Sequence, residues 1–292
     1  MNILNMGSIN LDHVLTVPHF VRPGETLASS HHDVFAGGKG FNQSIALSRA
    51  GASVRHLGKI GTDGIELRDR LAREGVDVTH IEVDPATFTG QAIIQVIPTG
   101  ENAILLHGGA NQTLTEEQIA RAIDSCSPGD TLLLQNETNA VAHAIRLAKS
   151  RGLRIVFNPA PMTPAVLDLP LGDVDLFILN ETEAEGLTGK NSPDDIRAVL
   201  CDRYPSSATV LTLGAQGAIT FDAHTFHPVP AHPVKAVDTT AAGDTFIGYF
   251  LATFLQDSNP LTALTRGCRA AALCVTRPGA ADSIPTRAEV DT

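Results

Sequence analysis

Thr131-Leu132-Leu133-Leu134, Arg154-Ile155-Val156-Phe157, Leu176-Phe177-Ile178-Leu179 and Thr209-Val210-Leu211-Thr212-Leu213 are four short apolar runs within residues 131–213. Helical stretches fall between them. Apolar runs alternating with helices are the pattern of a βαβ protein with a mainly parallel sheet. Outward from this stretch the rhythm continues: Ile3 to Ile9 reads as a first strand, and a helix from about Phe41 to Ala50 ends at Gly51, a plausible C′ glycine. Val54 to Gly58 reads as a short strand and Gly64 to Glu74 as a helix. The expected fold class is α/β, a mainly parallel central sheet with helices on both faces.

Two stretches break the rhythm. His13 to Phe35 and Thr89 to His107 are rich in β-formers, with a turn signal at Pro98-Thr99-Gly100. Gln91 to Ile97, the turn, and Asn102 to Leu106 read as a hairpin. Strands without helices between them do not easily become neighbours in a parallel sheet. They are read as a small β-sheet lid, from about 13–35 and 89–107, on a single domain spanning 1–292.

The 292 residues are 43% hydrophobic and 18% charged, which suits a globular protein with a sizeable core. A net charge of −11 argues against a nucleic-acid or anionic-membrane partner. Cys126, Cys201, Cys268 and Cys274 lack metal-site spacing and are read as free thiols in a reducing compartment. Met1-Asn2-Ile3-Leu4-Asn5 shows no leader pattern, and no apolar run approaches the ~20 residues of a membrane span. A cytoplasmic location is expected.

The strongest local signal is Asp238-Thr239-Thr240-Ala241-Ala242-Gly243-Asp244-Thr245-Phe246. Small residues allow a tight turn, and Phe246, Tyr249, Phe250 and Phe254 mark a buried helix after it. The N–H groups of Ala241, Ala242 and Gly243 then leave a helix N-terminus, where they can stabilise a transferring phosphoryl group. Asp244, in the first turn, can accept a proton from an attacking hydroxyl. The plain alternative is a glycine turn whose Asp suits the helix dipole.

Ala36-Gly37-Gly38-Lys39-Gly40-Phe41-Asn42-Gln43 feeds a helix but is not a P-loop, because Gly40 rather than Ser or Thr follows the lysine. Its glycines can let backbone approach a sugar, with Asn42 as donor and acceptor, or make an ordinary turn. Asn10 and Asp12 fall at the carboxyl end of the first strand, the ligand edge of such sheets. Asn180 and Glu183 suit an N-cap and its capping box; alternatively Glu183 orders water on Mg²⁺. Thr212 to Gly217 offers two glycines against a nucleotide, Glu137 is a further strand-end carboxylate, and His31-His32 reads as a solvated loop pair.

In order along the chain stand Gly7-Ser8-Ile9-Asn10-Leu11-Asp12, Pro23-Gly24-Glu25-Thr26, Gly37-Gly38-Lys39-Gly40-Phe41-Asn42-Gln43 and Asn158-Pro159-Ala160-Pro161. Asn180-Glu181-Thr182-Glu183-Ala184-Glu185, Thr212-Leu213-Gly214-Ala215-Gln216-Gly217, Val237 to Phe246 and Val275-Thr276-Arg277-Pro278-Gly279-Ala280 follow. This series resembles the ribokinase-like family of carbohydrate kinases, from the first strand to about Pro285.

The resemblance implies transfer of the γ-phosphoryl of ATP to D-ribose, giving D-ribose 5-phosphate, with Asp244 as base and Ala241, Ala242 and Gly243 as anion hole. The alternatives are a related kinase for another sugar or nucleoside, and a silent sugar- or nucleotide-binding regulator. It further implies that Asn10, Asp12, Gly38, Lys39, Gly40, Asn42 and Glu137 hold the sugar. Asn180, Thr212, Gly214, Gly217 and Gly243 would serve ATP, and Glu183 would act on Mg²⁺ through water. A K⁺ ion would be held by Asp238, Thr240, Cys274, Arg277, Gly279 and Ser283, several through carbonyls. The lid would also make a homodimer contact. Phe41, Asn136 and Cys268 depart from the family pattern, beside the sugar for the first two and on the adenine side for the third.

Overall fold

The computed structural model describes residues 2–292; Met1, where the leader reading starts, lies outside them. Among the described residues the strands are β1 (Ile3–Met6), β2 (Asn10–Thr16), β3 (His31–Gly37), β4 (Val54–Gly61), β5 (Asp77–Asp84), β6 (Gly90–Val96) and β7 (Asn102–His107). They continue with β8 (Thr131–Gln135), β9 (Arg154–Asn158), β10 (Leu176–Asn180), β11 (Ala208–Thr212), β12 (Ala218–Phe221) and β13 (Phe226–Val229). The helices are α1 (Lys39–Arg49), α2 (Ile65–Arg73), α3 (Glu116–Asp124), α4 (Val141–Ser150) and α5 (Glu181–Thr188). The last four are α6 (Pro193–Arg203), α7 (Ala242–Asp257), α8 (Pro260–Cys274) and α9 (Arg287–Asp291).

The main sheet has nine strands in the order β13-β12-β11-β10-β9-β8-β1-β4-β5. From β11 to β5 every neighbour is parallel, and β12 and β13 add an antiparallel edge. Side chains alternate across a strand, so one apolar run can fill two cores. Leu132 and Leu134 join α3, α4, α5 and α6 on one face, while Leu133 joins α1, α2, α7 and α8 on the other. Helices thus cover both faces. Each fully buried Leu, Ile or Phe stabilises this arrangement by roughly 1.5–3 kcal/mol.

Helix starts follow local chemistry. Thr115 and Gln118 form a capping box at α3, and Ser192 caps α6 with Pro193 at the first position. Gly51, at φ 96°, follows α1 as the sequence suggests.

A second sheet has the order β3-β2-β6-β7 and lies apart from the first. β6 and β7 form the expected hairpin, and β2 joins β6 in parallel. Two expectations are corrected here. The first strand stops at Met6, so Asn10 and Asp12 open lid strand β2 rather than close β1. His31 and His32 belong to strand β3, not a loop, and the His32 ring stacks on His13 with nitrogens 3.1 Å apart. No helix among the described residues is long and apolar enough to cross a membrane.

Candidate functional site

The C-terminal ends of the parallel strands and the first turn of α7 enclose a cavity of about 210 Å³. Lys39, Asn180, Glu183, Thr212, Ala241, Gly243 and Asp244 all line it, although the chain separates them by up to 205 residues. Asn158 and Thr239 line it as well, and neither carried a role in the sequence reading. Such a crevice beyond the strand ends is where α/β sheets bind ligands.

Ala241 caps α7 in the left-handed region (φ 59°), which swings the chain sharply into the helix; Ala241 and Gly243 line the cavity, and Ala242 does not. Ala242 N–H donates to Thr239 O in a long bond of 3.3 Å. A Cβ added to Gly243 would meet nothing within 4 Å, so the missing side chain leaves room for a ligand at the helix end. Asp244 is 8% exposed. Its Oδ2 accepts from Asn42 Nδ2 at 3.1 Å and its Oδ1 from Gln43 Nε2 at 2.9 Å. Held so, the carboxylate keeps lone pairs for a proton.

Lys39 sits among Asp244, Glu137 and Glu183. Burial alone would lower its pKa, but these three carboxylates outweigh burial and raise it, so the ammonium stays charged. Glu137 accepts from Ser8 Oγ and from the Lys39 backbone N–H (3.0 Å). Asp12 is pushed up to about 7 by burial, helped by the charges of Glu137 and Asp244. Asp12 Oδ1 and Asn42 Oδ1 are buried without a partner, acceptors that the hydroxyls of a polyol would fill.

The glycines of the 37–40 loop serve mainly to let chains meet. A Cβ on Gly37 would lie 1.8 Å from Asp12 Oδ2, and one on Gly38, at φ 93°, 2.9 Å from Ser8 O. Gly40 is tied into the framework, with its carbonyl accepting from Asn5 Nδ2 (2.8 Å) and a Cβ landing 2.5 Å from Gly7. Asn10 is held by Asn111, whose Nδ2 donates to Asn10 Oδ1 at 2.7 Å; the sequence reading missed Asn111.

Asn180 and Glu183 do form a capping box, with Glu183 N–H donating to Asn180 Oδ1 (2.8 Å) and Asn180 N–H to Glu183 Oε2 (2.9 Å). Burial raises the Glu183 pKa, against the pull of the Asn180 N–H and of Lys39. Glu183 lines the cavity as well as capping α5. Gly214 (φ 52°) and Gly217 (φ 108°) shape the turn after β11. Among the described residues no three His, Cys, Asp or Glu side chains gather as a metal cage. Mg²⁺ does not require one, since it keeps waters and binds phosphates beside one or two carboxylates.

Beside the α7 N-terminus, Asp238, Thr240, Cys274, Gly279 and Ser283 come together. Asp238 accepts from Thr240 N–H (2.9 Å) and Gly279 N–H (2.9 Å), and Cys274 Sγ meets Ser283 Oγ at 3.0 Å. Burial would raise the Asp238 pKa, but the hydrogen bonds from Thr240 and Gly279 lower it overall. Arg277 turns its side chain to Glu289 (2.6 Å), leaving only its backbone for this cluster.

The departures noted in the sequence are accommodated. Phe41 is fully buried with the Arg70 guanidinium 5.9 Å from its ring centroid, so it faces the core and not the pocket. Asn136 donates to Pro161 O at 2.8 Å. Cys268 is buried in α8, and burial lifts its thiol to about 11.

The sequence profile described as pfkB family carbohydrate kinase matches residues 2–287. Ribokinase of Haemophilus influenzae is 40% identical over 292 residues, covering 97% of this chain and 95% of that relative. Deoxyribokinase of Salmonella typhi is 34% identical over 300 residues, covering 98% of this chain and 96% of that relative. The crystal structure of ribokinase from Cryptococcus neoformans in complex with ADP matches with a TM-score of 0.86 at 34% identity, over 99% of this chain and 98% of that one. With Lys39, Asn180, Glu183, Thr212 and Asp244 around one cavity and the family profile matched over residues 2–287, the chain belongs to the pfkB family of carbohydrate kinases.

Proposed function

We propose that this protein transfers the γ-phosphoryl group of ATP to D-ribose, giving D-ribose 5-phosphate and ADP, with Asp244 as general base. The observation that carries this reading is the buried Asp244 carboxylate in one cavity with Lys39, Glu183 and the open start of α7. Phosphoryl transfer asks for positioning and charge stabilisation more than covalent chemistry, and those four features supply both. Asp244 takes the proton of the attacking hydroxyl. The helix N-terminus and Lys39 meet the negative charge on the transferring group. Asp12, Asn42, Asn10, Gly38 and Glu137 hold the sugar, with the two unpartnered oxygens of Asp12 and Asn42 accepting from its hydroxyls. Thr212, Gly214, Gly217 and Asn180 serve the nucleotide.

Mg²⁺, when bound, neutralises phosphate charge, and Glu183 would hold its water shell. The Asp238–Thr240–Cys274–Arg277–Gly279–Ser283 cluster suits K⁺, because a monovalent ion takes oxygen donors and backbone carbonyls supply them whatever the side chain. A homodimer through the lid is supported by apolar side chains that no helix covers: Ile104, Leu105 and Leu106 are 55%, 71% and 50% exposed. Four free thiols suit a reducing cytoplasm.

The test is ADP release with Mg²⁺–ATP across pentoses, hexoses and nucleosides, in K⁺ and again in Na⁺. Selective turnover of D-ribose that falls in Na⁺ is expected; no turnover of any acceptor refutes the reading. A second acceptor, 2-deoxyribose, belongs on the panel because a relative of 34% identity is a deoxyribokinase.

A further inference from the structure

We propose that Gln43 is a positioning residue of the phosphoryl transfer, its amide holding Asp244 and, through Asn158, Glu183 in one fixed arrangement. Gln43 does not line the cavity and is fully buried in the second turn of α1. Its Nε2 donates to Asp244 Oδ1 at 2.9 Å and to Asn158 Oδ1 at 3.3 Å. Asn158 Nδ2 in turn donates to Glu183 Oε2 at 3.1 Å and to Ile178 O at 3.0 Å. The proton acceptor on α7 and the carboxylate on α5 are therefore joined by two side-chain amides. This inference rests on the reading of Asp244 as base.

The amide cannot turn over. Gln43 Oε1 accepts from Gln135 Nε2 at 2.7 Å, and that same nitrogen donates to Asn5 Oδ1 at 2.9 Å. Asn5 Nδ2 donates to Gly40 O and to Ser44 Oγ, both at 2.8 Å. Ser44 Oγ lies 2.8 Å from His56 Nδ1, and His56 Nε2 lies 3.2 Å from Gly7 O. A carbonyl only accepts, so His56 carries its proton on Nε2 and Ser44 donates to Nδ1. Burial holds the His56 pKa down at about 4, so the ring is neutral. Gln135 Nε2 therefore donates into both branches, one running through Asn5 and Ser44 to His56 and Gly7 O, the other through Gln43 to Asp244 and Asn158. A flipped Gln43 would set its oxygen against Asp244 and Asn158, and its NH₂ against that of Gln135.

The chain's neutrality has chemical sense. A cation in place of Gln43 would bind the ionised Asp244 too firmly for it to take a proton. An apolar side chain would leave Oδ1 free to rotate away from the attacking hydroxyl. A neutral donor fixes the geometry without adding a charge beside the carboxylate. A polar chain serving only to fill space would be costly to bury, and this one is kept although Gln135 Oε1 lacks a partner.

The test uses Gln43→Met, of similar length without donors, and Gln43→Glu, which keeps the shape. Both are compared with the unsubstituted protein and with Asp244→Asn, on D-ribose and Mg²⁺–ATP, alongside Tm. Gln43→Met should lower kcat by about 10- to 100-fold, the worth of one hydrogen bond to a charged group. KM for sugar and for ATP should stay within about threefold, since neither ligand touches the residue. The acid limb of kcat against pH should move to higher pH. Lys39, Glu183, Asp12 and Cys274, the other titratable groups around Asp244, are the same in every variant. Gln43→Glu, with a carboxyl against Asp244, should move the limb further in the same direction. Ser44→Ala, four links from Asp244 on the same chain, should lower Tm without moving the limb. An unmoved limb in both Gln43 variants, or losses shared equally with Ser44→Ala, would overturn the positioning role. Full turnover in Asp244→Asn would instead remove the base, and the inference with it.

Discussion

Asp244→Asn separates stability from chemistry at the centre of the site. The carboxylate is 8% exposed, and its oxygens accept from Asn42 Nδ2 at 3.1 Å and Gln43 Nε2 at 2.9 Å. Both partners are NH₂ groups, so an asparagine can satisfy one of them and must turn its own NH₂ on the other. One buried donor is left unpaired, which costs about 1–3 kcal/mol. A domain stable by about 5–15 kcal/mol stays folded, with Tm lower by a few degrees. The chemical loss is larger. Without a basic oxygen to take the hydroxyl proton, kcat should fall by about 10²- to 10⁴-fold, or roughly 3–5 kcal/mol of barrier. The assay is ADP release at saturating sugar and ATP, with Tm and ADP affinity measured on the same sample. ADP should bind within about threefold of the unsubstituted protein, because the nucleotide does not depend on that proton. A folded Asp244→Asn with turnover within about tenfold of the original would refute Asp244 as base.

Three further outcomes are expected. Gly37→Ala puts a Cβ 1.8 Å from Asp12 Oδ2, so Asp12 must shift; KM for the sugar should rise about tenfold or more with KM for ATP unchanged, and an unchanged sugar KM would remove Asp12 from the pocket. Burial and neighbouring carboxylates lift Asp12 from 3.8 to about 7, so the folded chain keeps a proton there that the unfolded chain releases. That contribution to stability is complete below the unfolded value and is lost as pH rises through about 7. Asp12→Asn has no such slope, so its stability relative to the unsubstituted protein should climb between pH 4 and pH 7, by up to about 4 kcal/mol; parallel denaturation curves across that range would contradict it. Leu105→Glu places a charge at a lid position that is 71% exposed, and light scattering should find a monomer that still folds; a dimer unaffected by it would exclude this face as the contact.

The parts of the fold that read clearly from sequence are those buried on both sides. Leu132, Leu133 and Leu134 are all fully buried, so the run is continuous and its strand is evident. At the sheet edges that signal fades. Asp77–Asp84 mixes polar and apolar residues because one side of β5 meets solvent, and β12 and β13 are four residues each with Pro228 inside the second. The first strand was read three residues too long for a related reason. Ile9 is as buried as Ile3, but it sits where the chain leaves the sheet for the lid, and apolarity does not record that change of direction.

The site divides along a similar line. Asp244, Gly243, Lys39 and Glu183 lie in glycine-rich turns and helix starts, where local sequence reveals backbone that approaches a ligand. The residues that hold them carry no such mark. Gln43 meets Asp244 across 201 positions and Gln135 across 92, so no window of sequence contains either pair. One local clue was present: Asn42, Gln43 and Ser44 are consecutive polar residues in a helix followed at once by Ile45, Ala46 and Leu47. Six consecutive helical positions cover every direction around the axis, so a helix carrying both triplets either exposes apolar side chains or buries polar ones. In α1 all six are buried, between the sheet on one side and α7 on the other. Buried amides must find partners, and the partners available at that depth are Asp244, Asn158 and Gln135.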